Sequence, residues 1–360
     1  MLATVSRVLQ KTESLLPGER EMNIHIALSD THLGHPCTVL KTNAGVKRLC
    51  NTIEAETYGQ RYTLVMLGDI IDMCYVTFAE AQEELKRFLN IIVEETNVSK
   101  VVWVIGNHDY HFLSREMEDR GDSRFSDNVY EKIITVGENV RVPVSLVYPE
   151  YFIWNKNKCM ILSHGHLLGP DGSLFSLILG DPKESVADVC SINHSWLEFS
   201  WYNIWTDERV GNELWTGTSA LSAFMVASSR GRDIGQMSKH INRWLVNTRK
   251  ITSAVTKYIY GHTHVAEEKV IHLYHGTPNN TKLDNFKLQV INLGAWVIEK
   301  RVKNKQDEFM PPDTVIARIA NGTIKITRVK YTRDYLKRIG NQGNIIHSAE
   351  WGLWITRPGP

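Results

Sequence analysis

The 360-residue chain contains no stretch of eighteen or more apolar residues, which excludes a membrane-spanning helix read from sequence. An excess of one charge is also missing, because 41 Lys and Arg face 40 Asp and Glu. Dedicated nucleic-acid and membrane-surface binders usually carry a basic excess, so this balance argues against both. Cysteine is sparse and scattered: Cys37, Cys50, Cys74, Cys159 and Cys190 are odd in number and include no C-x-x-C pair. Neither a disulfide framework nor a thiolate zinc site is indicated, and reduced thiols in a cytoplasmic protein are expected. The first twenty residues lack a continuous apolar core and carry Glu13 and Glu19, unlike a signal peptide. A short amphipathic helix ending at Pro17-Gly18 is expected there. No internal repeat or low-complexity tract is visible.

What the chain does have is a recurrence of short apolar, β-branched runs ending in polar or glycine-rich residues. They are NIHIALSD at 23–30, YTLVMLGD at 62–69, VVWVIGNHD at 101–109, CMILSHGH at 159–166 and YIYGHTH at 258–264. KLQVINLGAW at 287–296, TVIARIA at 314–320 and TIKITRVK at 323–330 follow. Continuous runs of this length read as strands buried on both faces. Residues 77–95 are helical in period, with Phe78, Leu85, Phe88, Leu89 and Ile92 near one face. The alternation predicts α/β layers with a largely parallel first sheet. The C-terminal strands, which have no helices between them, predict a second, more antiparallel sheet. About ninety residues between His166 and Tyr258 read mainly as helix and include Trp196, Trp201, Trp205, Trp215 and Trp244. They are expected to form a helical cap inserted into one core.

The run ends share one chemistry. They read D-x-H at 30–32, G-D-x-x-D at 68–72, G-N-H-D at 106–109, H-G-H at 164–166 and G-H-T-H at 261–264. Alone, Asp30 and His32 would read as exposed turn residues. Strand ends in layered α/β folds point into a common crevice, however, so these segments can converge. Asp30, His32, Asp69, Asn107, His164, His262 and His264 then supply carboxylate, amide and imidazole donors without any thiolate. Such a set suits manganese, iron or zinc at a working site. Seven donors are too many for one ion and fit two, if one carboxylate is shared.

The five motifs, in this order, resemble the calcineurin-like metallophosphoesterase superfamily. The resemblance implies a layered α/β/β/α sandwich with two mixed β-sheets flanked by helices. It places the catalytic domain at 22–330, with the cap insertion at 167–257, an N-terminal helical extension at 1–21 and a tail at 331–360. It also implies that Asp30, His32 and His264 hold one metal, that Asn107, His164 and His262 hold the other, and that Asp69 bridges them. Manganese is the first expectation for the pair, with iron and zinc as alternatives. Two such ions clamp a phosphoryl group and activate a water for in-line attack. His108 is implied as general acid or charge stabiliser, oriented by Asp72.

The substrate is less sharply indicated. Protein serine/threonine phosphatases of the superfamily carry arginines where this chain has Met73 and Ile105, which disfavours that branch. The chain resembles the UDP-2,3-diacylglucosamine hydrolases in its helical, apolar insertion but departs from them at His108, commonly arginine there. A small or lipid-like phosphoester is the expected partner, and the tryptophans of the insertion add a reading of peripheral membrane contact. Hydrolysis of nucleic acid by a nuclease or phosphodiesterase is the alternative, disfavoured by the near-neutral charge. His35, His166, Asn292 and Gly294 are further candidates for contacts near the site.

Overall fold

In the computed structural model the described residues are 24–72, 76–122, 127–136, 140–168, 186, 189–190, 232–251, 253–274, 286–303 and 306–340. The expected N-terminal extension, Cys74 and Trp196, Trp201, Trp205 and Trp215 of the expected cap lie outside them. Among the described residues no helix is long and apolar enough to cross a membrane.

The early apolar runs form β1 (His25–Leu28), β2 (Tyr62–Leu67) and β3 (Val98–Val104), hydrogen-bonded in parallel. Parallel pairing needs crossovers, and α1 (Asn43–Thr57) and α2 (Phe78–Glu95) supply them. A capping box starts α2, in which Thr77 accepts from the Glu80 backbone and Glu80 accepts from the Thr77 N–H. The expected apolar face of α2 is buried through Phe88, Leu89 and Ile92, with Leu85 packed partly against the core. β3 leads into α3 (Tyr110–Arg120), and a hairpin of β4 (Asn128–Val136) and β5 (Val140–Tyr148) follows. The alternating RVPVSLVY of β5 carries the period-2 signal of that hairpin.

The second sheet contains β6 (Glu150–Asn155), β7 (Lys158–Ser163), β8 (Val255–Tyr260), β9 (Ala266–Leu273) and β10 (Phe286–Leu293), in the order β6-β7-β8-β10-β9. Its centre is parallel, β7 to β8 to β10, with antiparallel strands at both edges. This corrects the expectation for the C-terminal strands. After a hairpin of β11 (Glu299–Lys303) and β12 (Gln306–Met310), β13 (Val315–Ala320) and β14 (Thr323–Arg328) join the first sheet, with β13 antiparallel to β1. β13 buries apolar residues on both faces, with Arg318 the exception, and covers β1, which would otherwise be an edge. β14, bearing Lys325 and Arg328, becomes the charged edge instead.

Alternate residues of the strands sort into separate cores. Ala27, Val65, Leu67, Val102 and Val104 meet Met160, Leu162, Ile259 and Ile291 between the sheets. Ile26, Leu64, Met66 and Val101 face outward onto Leu49, Ile53, Phe88 and Ile92 of the helices. On the far side, Ile234, Met237 and Ile241 of α4 (Ile234–Asn242) pack on Ile161, Tyr258 and Val290. The layers are therefore α/β/β/α, with two mixed sheets between helices. β1, β2, β3, β7 and β8 all run the same way within their sheets, and each ends at one of the five motifs.

Candidate metal centre

Each motif begins where its strand stops, and the backbone there is unusual. Among the described residues nine non-glycine positions have positive φ, and five are Asp30, His32, Asp69, His262 and His264, with φ of 51°, 45°, 49°, 67° and 62°. Such conformations cost of order 1–3 kcal/mol each and persist only where surroundings enforce them. The enforcement is visible. Loops 30–33 and 69–72 are zipped by backbone bonds from Asp30 to Gly68, His32 to Asp69, Leu33 to Ile70 and Asp72 to Leu33, at 2.8–3.1 Å. Glycine provides the close approaches between motifs. A Cβ on Gly106 would overlap the Asp69 backbone and carboxylate, and one on Gly261 would overlap Ser29 Oγ and Asp30 Oδ2.

All nine residues singled out in the motifs converge. In one group His264 Nε2 lies 3.2 Å from His32 Nε2 and 3.4 Å from Asp30 Oδ1. In the other, His164 Nε2 lies 3.2 Å from Asp69 Oδ2, 3.1 Å from Asn107 Oδ1 and 3.1 Å from His262 Nδ1. His108 stands beside this group, with Nε2 4.0 Å from Asp69 Oδ2 and Nδ1 3.1 Å from Asp72 Oδ1. Asp30, His32, Asp69, Asp72, His164 and His262 are buried.

The donor arithmetic identifies what these groups lack. His164 Nδ1 donates to the Leu67 carbonyl at 2.9 Å, so its Nε2 carries a lone pair in the neutral ring. That lone pair faces a carboxylate oxygen, an amide oxygen and another ring nitrogen. The lone pair and the two oxygens are mutually repulsive, and a proton or a cation between them relieves that repulsion. In the bare protein a proton serves: burial opposes charge on His164, but Asp69 and Asp30 hold its pKa at about 9. His262, pressed by burial and by His164, falls to about 3 and stays neutral. Burial also works against the charges of Asp69 and Asp72, yet the adjoining imidazoles hold both carboxyls well below the usual range. Asp30 is lowered too, against burial, by His264 and His164. Two such acceptor groups fit two divalent cations.

One supporting residue, Asp109, escaped the sequence reading, whereas Asn292, Gly294, His35 and His166 were candidates in it. Asp109 sends no side chain toward either group. Its Oδ1 accepts from the Ile70 and Ile71 N–H groups at 3.0 and 3.1 Å, and its Oδ2 from Trp103 Nε1 and Gly106 N at 3.0 and 3.2 Å. It ties the G-D-x-x-D loop to the G-N-H-D loop. Burial and the nearby Asp69 push its carboxyl up to about 7 against the pull of those four donors. The only sequence signal was the final Asp of G-N-H-D. Asn292 braces the G-H-T-H turn, donating to Gly261 O and Thr263 Oγ1 at 3.2 and 2.6 Å. Gly294 has φ 65° and donates back to Asn292 Oδ1. His35 Nδ1 accepts from the Cys37 N–H. His166 is buried beside His164, ring centroids 5.4 Å apart, with neither ring nitrogen hydrogen-bonded.

Comparison with known families decides the class. A family model for calcineurin-like phosphoesterases matches residues 26–266. The chain belongs to that family. It is thus a metal-dependent hydrolase of phosphoesters, and the two acceptor groups accord with the family's dimetal chemistry. No curated protein matches this phosphoesterase. Among solved structures it is similar to a dimetal phosphatase from Danio rerio, at 13% identity over 86% of this chain and 99% of that one, TM-score 0.33. A predicted phosphoesterase from Streptococcus pneumoniae TIGR4 is 10% identical over 86% and 92%, TM-score 0.28. A 5'-nucleotidase from Candida albicans SC5314 is 10% identical over 93% and 59%, TM-score 0.31. Likenesses of this size fix neither substrate nor mechanism.

Proposed function

We propose that this phosphoesterase binds one cation at Asp30, His32 and His264 and another at Asn107, His164 and His262, with Asp69 shared between them. The observation that carries this reading is the convergence of Asp69 Oδ2, Asn107 Oδ1 and His262 Nδ1 on His164 Nε2, at 3.1–3.2 Å. Bound there, the cations would supply Lewis acidity to a phosphoryl group and lower the pKa of a coordinated water. Manganese is the proposed metal, on a mixed imidazole and oxygen donor set.

The chain's own residues do the rest. Asp72 holds the His108 ring by Nδ1, which turns Nε2 toward the space beside Asp69. From Nε2, His108 delivers a proton to the departing alkoxide, and the Asp72 carboxylate steadies the ring through that transfer. The backbone N–H of His108 donates to Asp69 Oδ1 at 2.9 Å, so the shared carboxylate and the acid are fixed by one residue.

The proposed substrate is a small or lipid-like phosphoester, supported by the balanced charge and by the tryptophan-rich sequence between His166 and Tyr258. Peripheral membrane contact through that stretch belongs to the same reading. A cytoplasmic location is proposed with it, since the five cysteines are scattered, odd in number and include no C-x-x-C pair. Elemental analysis should find two equivalents of metal, and added Mn²⁺ should support hydrolysis of a chromogenic phosphoester. Asp69→Asn should reduce that hydrolysis to background, and an unchanged rate would reject the site. Mono-, di- and pyrophosphate esters, acylated and plain, should be compared with DNA across a salt series. Turnover of DNA alone, falling steeply with salt, would replace the small-substrate reading by a nuclease.

A further inference from the structure

Asp72 spends its two oxygens on two different rings. Its Oδ1 lies 3.1 Å from His108 Nδ1 and its Oδ2 lies 3.0 Å from His32 Nδ1. We infer that Asp72 is a positioning residue for the metal ligand His32 as well as for His108, joining one cation position to the proton donor through a single carboxylate. This rests on the two-cation reading above for the role of His32.

The backbone explains why one side chain can do both. The zipper between the first two motifs carries His32 N to Asp69 O and Asp72 N to Leu33 O, at 2.9 and 2.8 Å. Asp69 and Asp72 lie three residues apart on that loop, Asp69 toward the acceptor groups and Asp72 behind the rings. The Asp72 side chain is only 2% exposed, so its charge needs donors. The two Nδ1–H groups supply them. Three donor atoms of His32, Asp72 and His108 do fall within 4.8 Å of one another. Each ring nitrogen, however, meets its own carboxylate oxygen, the pattern of two N–H donors on one acceptor.

The consequence is a fixed tautomer. With its hydrogen on Nδ1, His32 must offer a lone pair at Nε2, the atom 3.2 Å from His264 Nε2. A carboxylate behind a ligating imidazole also raises its basicity, and such partners are worth roughly 10–100-fold in metal affinity. If Asp72 served His108 alone, its removal would leave metal binding untouched.

The test is calorimetric titration of metal-free protein with Mn²⁺. Wild type should take up two ions. Asp72→Ala should weaken one of them about 10–100-fold, while His108→Ala should bind both as wild type does. Wild-type affinity for both ions in Asp72→Ala would overturn the inference. Because that variant can fail to fold, ¹⁵N spectra of histidine-labelled, metal-free wild type provide a second reading. Hydrogen on Nδ1 of both His32 and His108 supports the shared carboxylate, and hydrogen on His32 Nε2 overturns it. Wild type that binds fewer than two ions would count against the two-cation reading itself, and the tautomer measurement would then decide the Asp72 arrangement alone.

Discussion

The two sheets bring different chemistry to the same edge. The first sheet contributes carboxylates whose oxygens are already engaged: Asp30 accepts from the His262 N–H at 2.9 Å, Asp69 from the His108 N–H, and Asp109 from four N–H donors. The second contributes imidazoles, and several of their nitrogens have no partner; His262 Nε2 and both nitrogens of His166 are buried without a hydrogen bond. The difference separates what the fold completes by itself from what it leaves for a ligand. The acidic side is a finished scaffold, organised before any cation arrives. The imidazole side carries the unsatisfied valence, and any occupant should change it more.

The strongest way to break this contrast is to remove a finished scaffold bond that touches neither acceptor group. Asp109→Ala strips the acceptor from four buried N–H groups, and each orphan costs about 1–3 kcal/mol before relaxation. The expected loss is about 4 kcal/mol in denaturant unfolding of metal-free protein, from a residue outside both donor sets. A loss below about 1 kcal/mol would mean that the acidic loops hold their shape without it.

Loss of the proton donor should show less in stability and more in turnover. His108→Asn should lower kcat by roughly 10²–10⁴-fold. Both metals should remain bound, because the ring lies outside the two acceptor groups.

The D-x-H, G-D-x-x-D, G-N-H-D, H-G-H and G-H-T-H motifs were readable because each sits where an apolar run stops. Run ends gather at one edge whenever the strands are parallel, so residues as distant as Asp30 and His264 could be expected to converge, while their pairing at one cation came from the family resemblance. The supporting bonds were not readable in that way. Asp109 follows His108 directly, and nothing in its spacing distinguishes an acid facing a cation from one facing backbone N–H groups. The contact of Asp72 with His32 depends on the zipper between two loops, a matter of register that residue types do not encode. The placement of β13 and β14 failed for a related reason. β13, with buried apolar residues on both faces, fits either sheet, and pairing along β1 takes it and its hairpin partner β14 into the first.

Charge on the imidazole side should make the metal-free protein sensitive to alkali. His164 has its folded pKa near 9, above the ordinary 6.5. A histidine raised in this way stabilises the fold fully below the ordinary value, and that contribution is lost as pH climbs toward 9. The melting temperature of chelator-treated protein should therefore fall between pH 6.5 and 9. With Mn²⁺ in excess the cation replaces the proton, and the fall should shrink or reverse. A flat metal-free profile over that interval would mean that no proton bridges the His164 acceptors.

The smallest effect separates two imidazoles in one motif. His164 and His166 are neighbours in H-G-H, both buried, with centroids 5.4 Å apart. His164 is held by the Leu67 carbonyl and meets Asp69, Asn107 and His262, whereas His166 has no partner at either nitrogen and lies 5.9 Å from the Tyr148 ring. Burial and the adjacent His164 drive the His166 pKa well below its ordinary value, so the ring is neutral. An unpaired buried polar ring contributes little to the bare fold, and an apolar side chain of similar size should do as well. His166→Leu should leave metal-free stability within about 1 kcal/mol of wild type. If the orphan nitrogens await a phosphoester oxygen, the same variant should raise KM with Mn²⁺ bound while metal affinity stays put. Unchanged KM would make His166 packing alone, and the unsatisfied valence of the second sheet would then narrow to His262.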